Sequence, residues 1–164
     1  MAQVFNADEV FNIGVQIEKN GKAFYLAAKE RTQDPLLKNL FADLAVWEGN
    51  HMELFEHLRN TLPADANRNI EYDPDNVIHL YLKAVADSTL FVNQDRYDID
   101  SCHSSLELLQ KALDFERDSV VLYSSMKEVV PLDLGRNEID KLIAEELNHV
   151  GQLTKEIRKL QSDS

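Results

Sequence analysis

Two stretches of the sequence place a carboxylate three residues ahead of an imidazole: Glu48-Gly-Asn-His51 and Glu146-Leu-Asn-His149. On a helix, residues i and i+3 share a face and lie about 4.5 Å apart along the axis, so each pair can aim two ligands at one point. Fourteen Glu and five His among 164 residues make fewer than one such pair expected by chance. The two pairs are related by a constant offset of 98 residues. The same offset lays Glu18 on Glu116, Tyr25 on Tyr123, Lys29 on Lys127, Glu30 on Glu128, Leu44 on Leu142 and Asn50 on Asn148 without a gap. A duplicated helical hairpin is the simplest source of such a register.

Glu18, Glu48, Glu116 and Glu146 fall on the apolar sides of their helices. Glu18 is bracketed by Gly14, Val15, Gly21 and Tyr25, and Glu116 by Ala112, Leu113, Ser119 and Tyr123. Glu48 lies among Leu44, Ala45 and Met52, and Glu146 among Leu142, Ile143 and Val150. Bare carboxylates brought together in a helical core lose hydration and repel one another, at several kcal/mol each, or take up protons. A pair of metal cations removes the difficulty. Four carboxylates and two neutral imidazoles, with no thiolate, suit iron or manganese. A Glu from each of two helices with Glu-x-x-His from each of the other two is the ligand pattern of di-iron and di-manganese bundles.

The elements that would hold these residues are long helices. Asn6 and Glu9 have the form of a capping box, and Val10, Ile13, Ile17, Phe24, Tyr25 and Ala28 follow at helical spacing, which predicts a first helix over 7–31. Asp34-Pro35 is an N-cap with proline at the first helical position, and the periodic residues continue to Thr61, with Pro63 beyond. Helix three is expected from about Ser101 to Val129 and helix four from about Leu134 to Leu160, separated by Pro131. The connection over 62–100 is long for a structureless loop, and a shorter helix is expected over 75–91. Short, long, short connectivity makes the expected fold all-α, a ferritin-like four-helix bundle. It is read as one domain over 1–164, with repeats at about 7–61 and 101–160.

Composition narrows the function. A net charge of -12, from 29 acidic against 17 basic residues, disfavours nucleic acid and anionic membrane surfaces as partners. The longest apolar run, Ala23 to Ala28, is far below the roughly 20 residues of a spanning helix. The first residues lack the pattern of a signal peptide, and the single Cys102 cannot form an internal disulfide, so a cytoplasmic location is expected.

With these residues in place, the sequence resembles the di-iron domain of rubrerythrins, within the ferritin-like superfamily, over nearly its whole length. The resemblance implies that Glu18 and Glu116 are the carboxylates of the first and third helices, that Glu48 and Glu146 bridge two irons, and that His51 and His149 are imidazole ligands. Tyr25 and Tyr123 are similar to the family's tyrosines that hydrogen-bond near the cluster, and are the candidate catalytic groups. It further implies a reaction with hydrogen peroxide or dioxygen and assembly as a homodimer or higher homo-oligomer. Two departures stand out. Ser119 occupies the position of a further family carboxylate associated with peroxidase activity, and no rubredoxin-type set of four cysteines follows helix four, so a separate electron-donor protein is expected.

Other candidates are weaker. Glu145 is four residues before His149, but the offset places Trp47 opposite it, so a supporting or surface role is expected rather than ligation. His57, His79 and His103 have no counterpart in the repeat, Cys102 reads as a reduced structural thiol, and Trp47 as a packing residue. The leading expectation is a redox-active di-iron protein defending against oxidants. The alternatives are a ferroxidase that handles ferrous iron as substrate and a non-catalytic assembly module.

Overall fold

A computed structural model describes residues 6–65, 80 and 98–164. Four long helices carry the fold: α1 (Ala7–Arg31), α2 (Pro35–Asn60), α3 (Ser105–Val129) and α4 (Arg136–Ser162). Among the described residues there is no strand. Of the helix expected over 75–91, only Leu80 is described, as a helical and exposed residue; the rest lies outside the described residues.

The first two helices start where their sequence signals place them. The Asn6 side chain accepts from Glu9 N at 2.9 Å while the Glu9 carboxylate accepts from Asn6 N at 3.0 Å, closing the capping box. Asp34 accepts from Leu36 N at 2.8 Å, with Pro35 as the first helical residue. The starts of the other two differ from expectation. Ile99–Ser101 is a separate 3-10 turn capped by Asp98, Cys102 is extended, and Ser104 is the cap of α3, accepting from Glu107 N at 3.2 Å. Leu132–Leu134 is likewise a separate 3-10 turn rather than the start of helix four. Gly135 follows with φ of 116°, a backbone state that side-chain-bearing residues rarely adopt. A Cβ there would also stand 2.7 Å from Leu58 Cδ2. The chain therefore reverses at Gly135 and α4 begins at Arg136.

α1 packs chiefly on α2 and α3 on α4, as two hairpins. Each helix turns its apolar stripe inward, and the buried residues form two clusters. One gathers Phe11, Ile17, Phe55, Phe115, Leu122, Met126 and Ile139. The other gathers Phe24, Phe41, Leu44, Leu109, Leu113 and Leu153. The first uses the start of α1 and the end of α2, the second the end of α1 and the start of α2, so the clusters fill opposite ends of the bundle. Glu18, Glu48, Glu116 and Glu146 sit near the midpoints of their helices, between the two. Among the described residues no helix is long and apolar enough to cross a membrane.

Candidate metal centre

The mid-bundle layer is polar and closed. Glu18, Glu48, His51, Glu116, Glu146 and His149 are each no more than 2% exposed. They form two groups in which one ligand atom per residue lies within 4.8 Å of the others: Glu18, Glu48, His51 and Glu146, and Glu48, Glu116, Glu146 and His149. Glu48 and Glu146 belong to both. Glu18 and His51 belong to one group only, Glu116 and His149 to the other.

Pairing between the helices explains how the groups are held. Tyr25 on α1 donates its hydroxyl hydrogen to Glu116 Oε1 on α3, and Tyr123 on α3 donates to Glu18 Oε1 on α1. Each tyrosine thus serves the carboxylate of the other hairpin rather than the one on its own helix. That exchange is set by tertiary packing, and sequence spacing carries no signal for it. Both rings are fully buried, and Phe115 meets Tyr25 edge-on at 6.4 Å between centroids. Burial and the neighbouring carboxylates push both hydroxyls well above the ordinary tyrosine range, so they remain donors.

On the other side, α2 meets α4. His51 Nδ1 faces the cluster, 3.0 Å from Glu146 Oε1 and 3.5 Å from Glu18 Oε2. His149 Nδ1 lies 3.2 Å from Glu146 Oε2 and 3.7 Å from Glu116 Oε2. The two imidazoles stack at 5.9 Å with 29° between planes, and Trp47 lies 6.2 Å from His51 and 5.9 Å from His149. His51 Nε2, directed away from the cluster, is 2.8 Å from Glu145 Oε2. Glu145, set aside from ligation by the repeat, therefore supports a histidine from outside.

Gly21 is a residue that motif reading missed as a site element. A Cβ at this position would collide with Glu48 Oε2 and stand 2.7 Å from Phe115 Cε1. The bare glycine lets the Glu48 carboxylate press against the α1 backbone. The only sequence signal was its place three residues after Glu18 on the inward face of α1. Ser119, its counterpart in the repeat, is buried and its hydroxyl donates to Phe115 O at 3.0 Å within its own helix.

The electrostatics without metal are strained. Burial pushes the Glu18, Glu48 and Glu116 carboxyls above the ordinary carboxylate range, and in each case adjoining carboxylates add to it. Burial would raise Glu146 too, but the His149 and His51 imidazoles hold it well below that range. Burial would lower both histidines. The carboxylates win, and push His51 up to about 11 and His149 up to about 9.

The donor atoms of the layer are suited to metal. Glu18 Oε2, both oxygens of Glu48, His51 Nδ1, Glu116 Oε2 and Glu146 Oε1 are buried without a hydrogen-bond partner. Buried polar atoms in folded proteins are mostly hydrogen-bonded, with exceptions scattered through the fold, and here all six lie together in one layer. The tyrosines occupy one oxygen of Glu18 and of Glu116 and leave the other open toward the cluster. Glu48 has both oxygens open. A hard-oxygen set with two imidazole nitrogens matches iron or manganese, so the residues present fit a pair of such ions.

The remaining candidates stand apart. His57 and His103 are exposed, Cys102 is buried and unpaired, and His79 lies outside the described residues.

No protein-family model matches the sequence, and no curated protein matches it. Among solved structures, the chain is similar to the crystal structure of a candidate ferritin-like diiron-carboxylate protein from Thermotoga maritima. The TM-score is 0.69 at 20% identity, covering 96% of this chain and 98% of that one. This likeness defines the class of fold, a ferritin-like four-helix bundle. At its core the bundle carries a buried Glu/His cluster of di-metal composition.

Proposed function

We propose that the chain is a di-iron carboxylate protein of rubrerythrin type, whose iron pair is oxidised by hydrogen peroxide or dioxygen and reduced by a separate electron-donor protein. The observation that carries this reading is the set of six buried donor atoms that make no hydrogen bond, on residues that form two groups sharing Glu48 and Glu146. Manganese, alone or with iron, satisfies the same ligands. Two bound ferrous ions would supply the two electrons that reduce hydrogen peroxide to water, or dioxygen to peroxide, each becoming ferric.

The protein's part follows from its side chains. Glu48, open at both oxygens, and Glu146, common to both groups, would set the spacing of the ions. Glu18 and Glu116, each with one oxygen engaged by a tyrosine, would each offer a single oxygen. His51 would bind through Nδ1, since Nε2 is engaged by Glu145. Tyr25 and Tyr123 hold a proton at the hydroxyl oxygen, within hydrogen-bond reach of the terminal carboxylates. They are the proposed groups for donating hydrogen bonds or protons as oxygen is reduced. The apolar clusters on either side exclude water from the layer.

A second reading, ferrous oxidation with release of the product, is favoured by the half-exposed Glu145, which extends a carboxylate from the surface to His51. Stopped-flow mixing of anaerobically ferrous-loaded protein with peroxide and, separately, with dioxygen distinguishes the two. Rapid oxidation of two irons that stay bound, with repeated peroxide turnover when a reductant is supplied, supports the rubrerythrin reading. Oxidation of many irons per chain supports the second. No oxidation by either oxidant overturns both and leaves an assembly role.

A further inference from the structure

The duplicated hairpins give the two metal positions matching ligands: Glu18 with Glu116, His51 with His149, and Glu48 and Glu146 shared. The symmetry fails just outside the ligands. Glu145 on α4 and Trp47 on α2 occupy equivalent positions under the offset of 98, and they do different things. Glu145 Oε2 is 2.8 Å from His51 Nε2, while Trp47 sets an indole ring 5.9 Å from the His149 ring. Among the described residues no carboxylate reaches the outer nitrogen of His149. Gly21 opposite Ser119 is another break in the symmetry, but it acts on Glu48, which both positions share.

A carboxylate accepting the outer N–H of a ligating imidazole does two things. It fixes the tautomer that leaves the lone pair on the inner nitrogen, and it makes that nitrogen a stronger donor. His51 has this support on the side away from the cluster, with Nδ1 directed inward. Among the described residues His149 has no such support, and the half-exposed Trp47 ring lies near both imidazoles, 5.9 Å from His149 and 6.2 Å from His51. We propose that Glu145 is a positioning residue that makes the two metal positions unequal, the one at Glu18 and His51 being the tighter and the first to fill. The proposal rests on the di-metal reading above and deepens it. Loss of such a support costs about 10–100-fold in metal affinity. Glu145 is 44% exposed and partly solvated, which places the effect near the lower end.

The test is a titration of the metal-free full chain with cobalt(II), following its ligand-field absorption and fixing affinities by competition with a chelator. The wild type is expected to bind two ions in two resolved steps, separated by more than the statistical ratio. Glu145→Ala is expected to weaken the first step about tenfold and leave the second nearly unchanged. Glu145→Gln, which keeps an acceptor for Nε2, is expected to recover part of that loss. Trp47→Glu, which supplies a carboxylate at the equivalent place beside His149, is expected to strengthen the second step and bring the two together. Steps separated only statistically in the wild type, or a Glu145→Ala effect that is absent or equal on both steps, would overturn the proposal while leaving the di-metal reading intact. Fewer than two cobalt ions bound by the wild type would overturn that reading and the proposal with it.

Discussion

Glu48 offers the sharpest separation of stability from function. Both its oxygens are buried without partners, and its side chain is 1% exposed among three other carboxylates. A buried polar group left unpaired costs about 1–3 kcal/mol. Glu48→Met replaces it with an unbranched apolar side chain of similar length. In chelator the variant should therefore be more stable than the wild type by about 2 kcal/mol. For a domain of this size that is a rise of about 4–8 °C in Tm. With metal the order should reverse. Ligation stabilises the folded wild type by about 2.7 kcal/mol at a free metal concentration 100 times Kd, and the variant, lacking a shared ligand, forfeits most of it. Thermal unfolding followed by circular dichroism, in EDTA and in manganese(II), gives both comparisons. A Glu48→Met chain that is less stable than the wild type in EDTA, or one that gains as much from manganese, would refute the reasoning.

Further outcomes follow from the same geometry. Gly21→Ala gains about 1 kcal/mol of helix propensity, but its Cβ overlaps the Glu48 carboxylate and crowds Phe115, at about 1–3 kcal/mol, so denaturant unfolding should show net destabilisation and titration weaker metal binding. Tyr25→Phe leaves Glu116 Oε1 without its donor and should destabilise the protein by about 1–3 kcal/mol in urea, while elemental analysis still finds two ions per chain. The histidines bind protons more tightly folded than unfolded, so their contribution to metal-free stability is complete below pH 6.5 and is lost as pH rises through about 9 and about 11. The raised Glu18, Glu48 and Glu116 carboxyls act in the same sense from pH 4.5 upward, whereas the lowered Glu146 contributes above 4.5 and loses its contribution as pH falls through its folded value. Melting in EDTA should therefore weaken from pH 7 to 9. Metal binding must displace the imidazole protons, so calorimetry in buffers of different ionisation enthalpy should show proton release and affinity rising with pH.

The fold was legible because its signals are local and redundant. Asn6 with Glu9 and Asp34 with Pro35 each mark a helix start by a hydrogen bond that needs no tertiary partner. The later starts were ambiguous for the same reason, since Asp98, Ser101 and Ser104 are all competent caps, and Ser104 prevails with Glu107 three residues on. At the site, the 98-residue register named residues that the fold brings into one buried layer, because duplication keeps chemistry-bearing positions in step. What it left out depends on how the hairpins meet. The crosswise service of Glu116 by Tyr25 and Glu18 by Tyr123, the reach of Glu145 to His51, and the space that Gly21 leaves for Glu48 are contacts between helices.

The central claim is that six residues hold two metal ions between the apolar halves of the bundle. Anomalous diffraction at the iron edge, from crystals of the iron-loaded protein, tests it most directly. Two iron peaks are predicted in the buried layer, one beside Glu18 and His51 and the other beside Glu116 and His149, with Glu48 and Glu146 reaching both. A single peak, or iron found only at the surface, would contradict it.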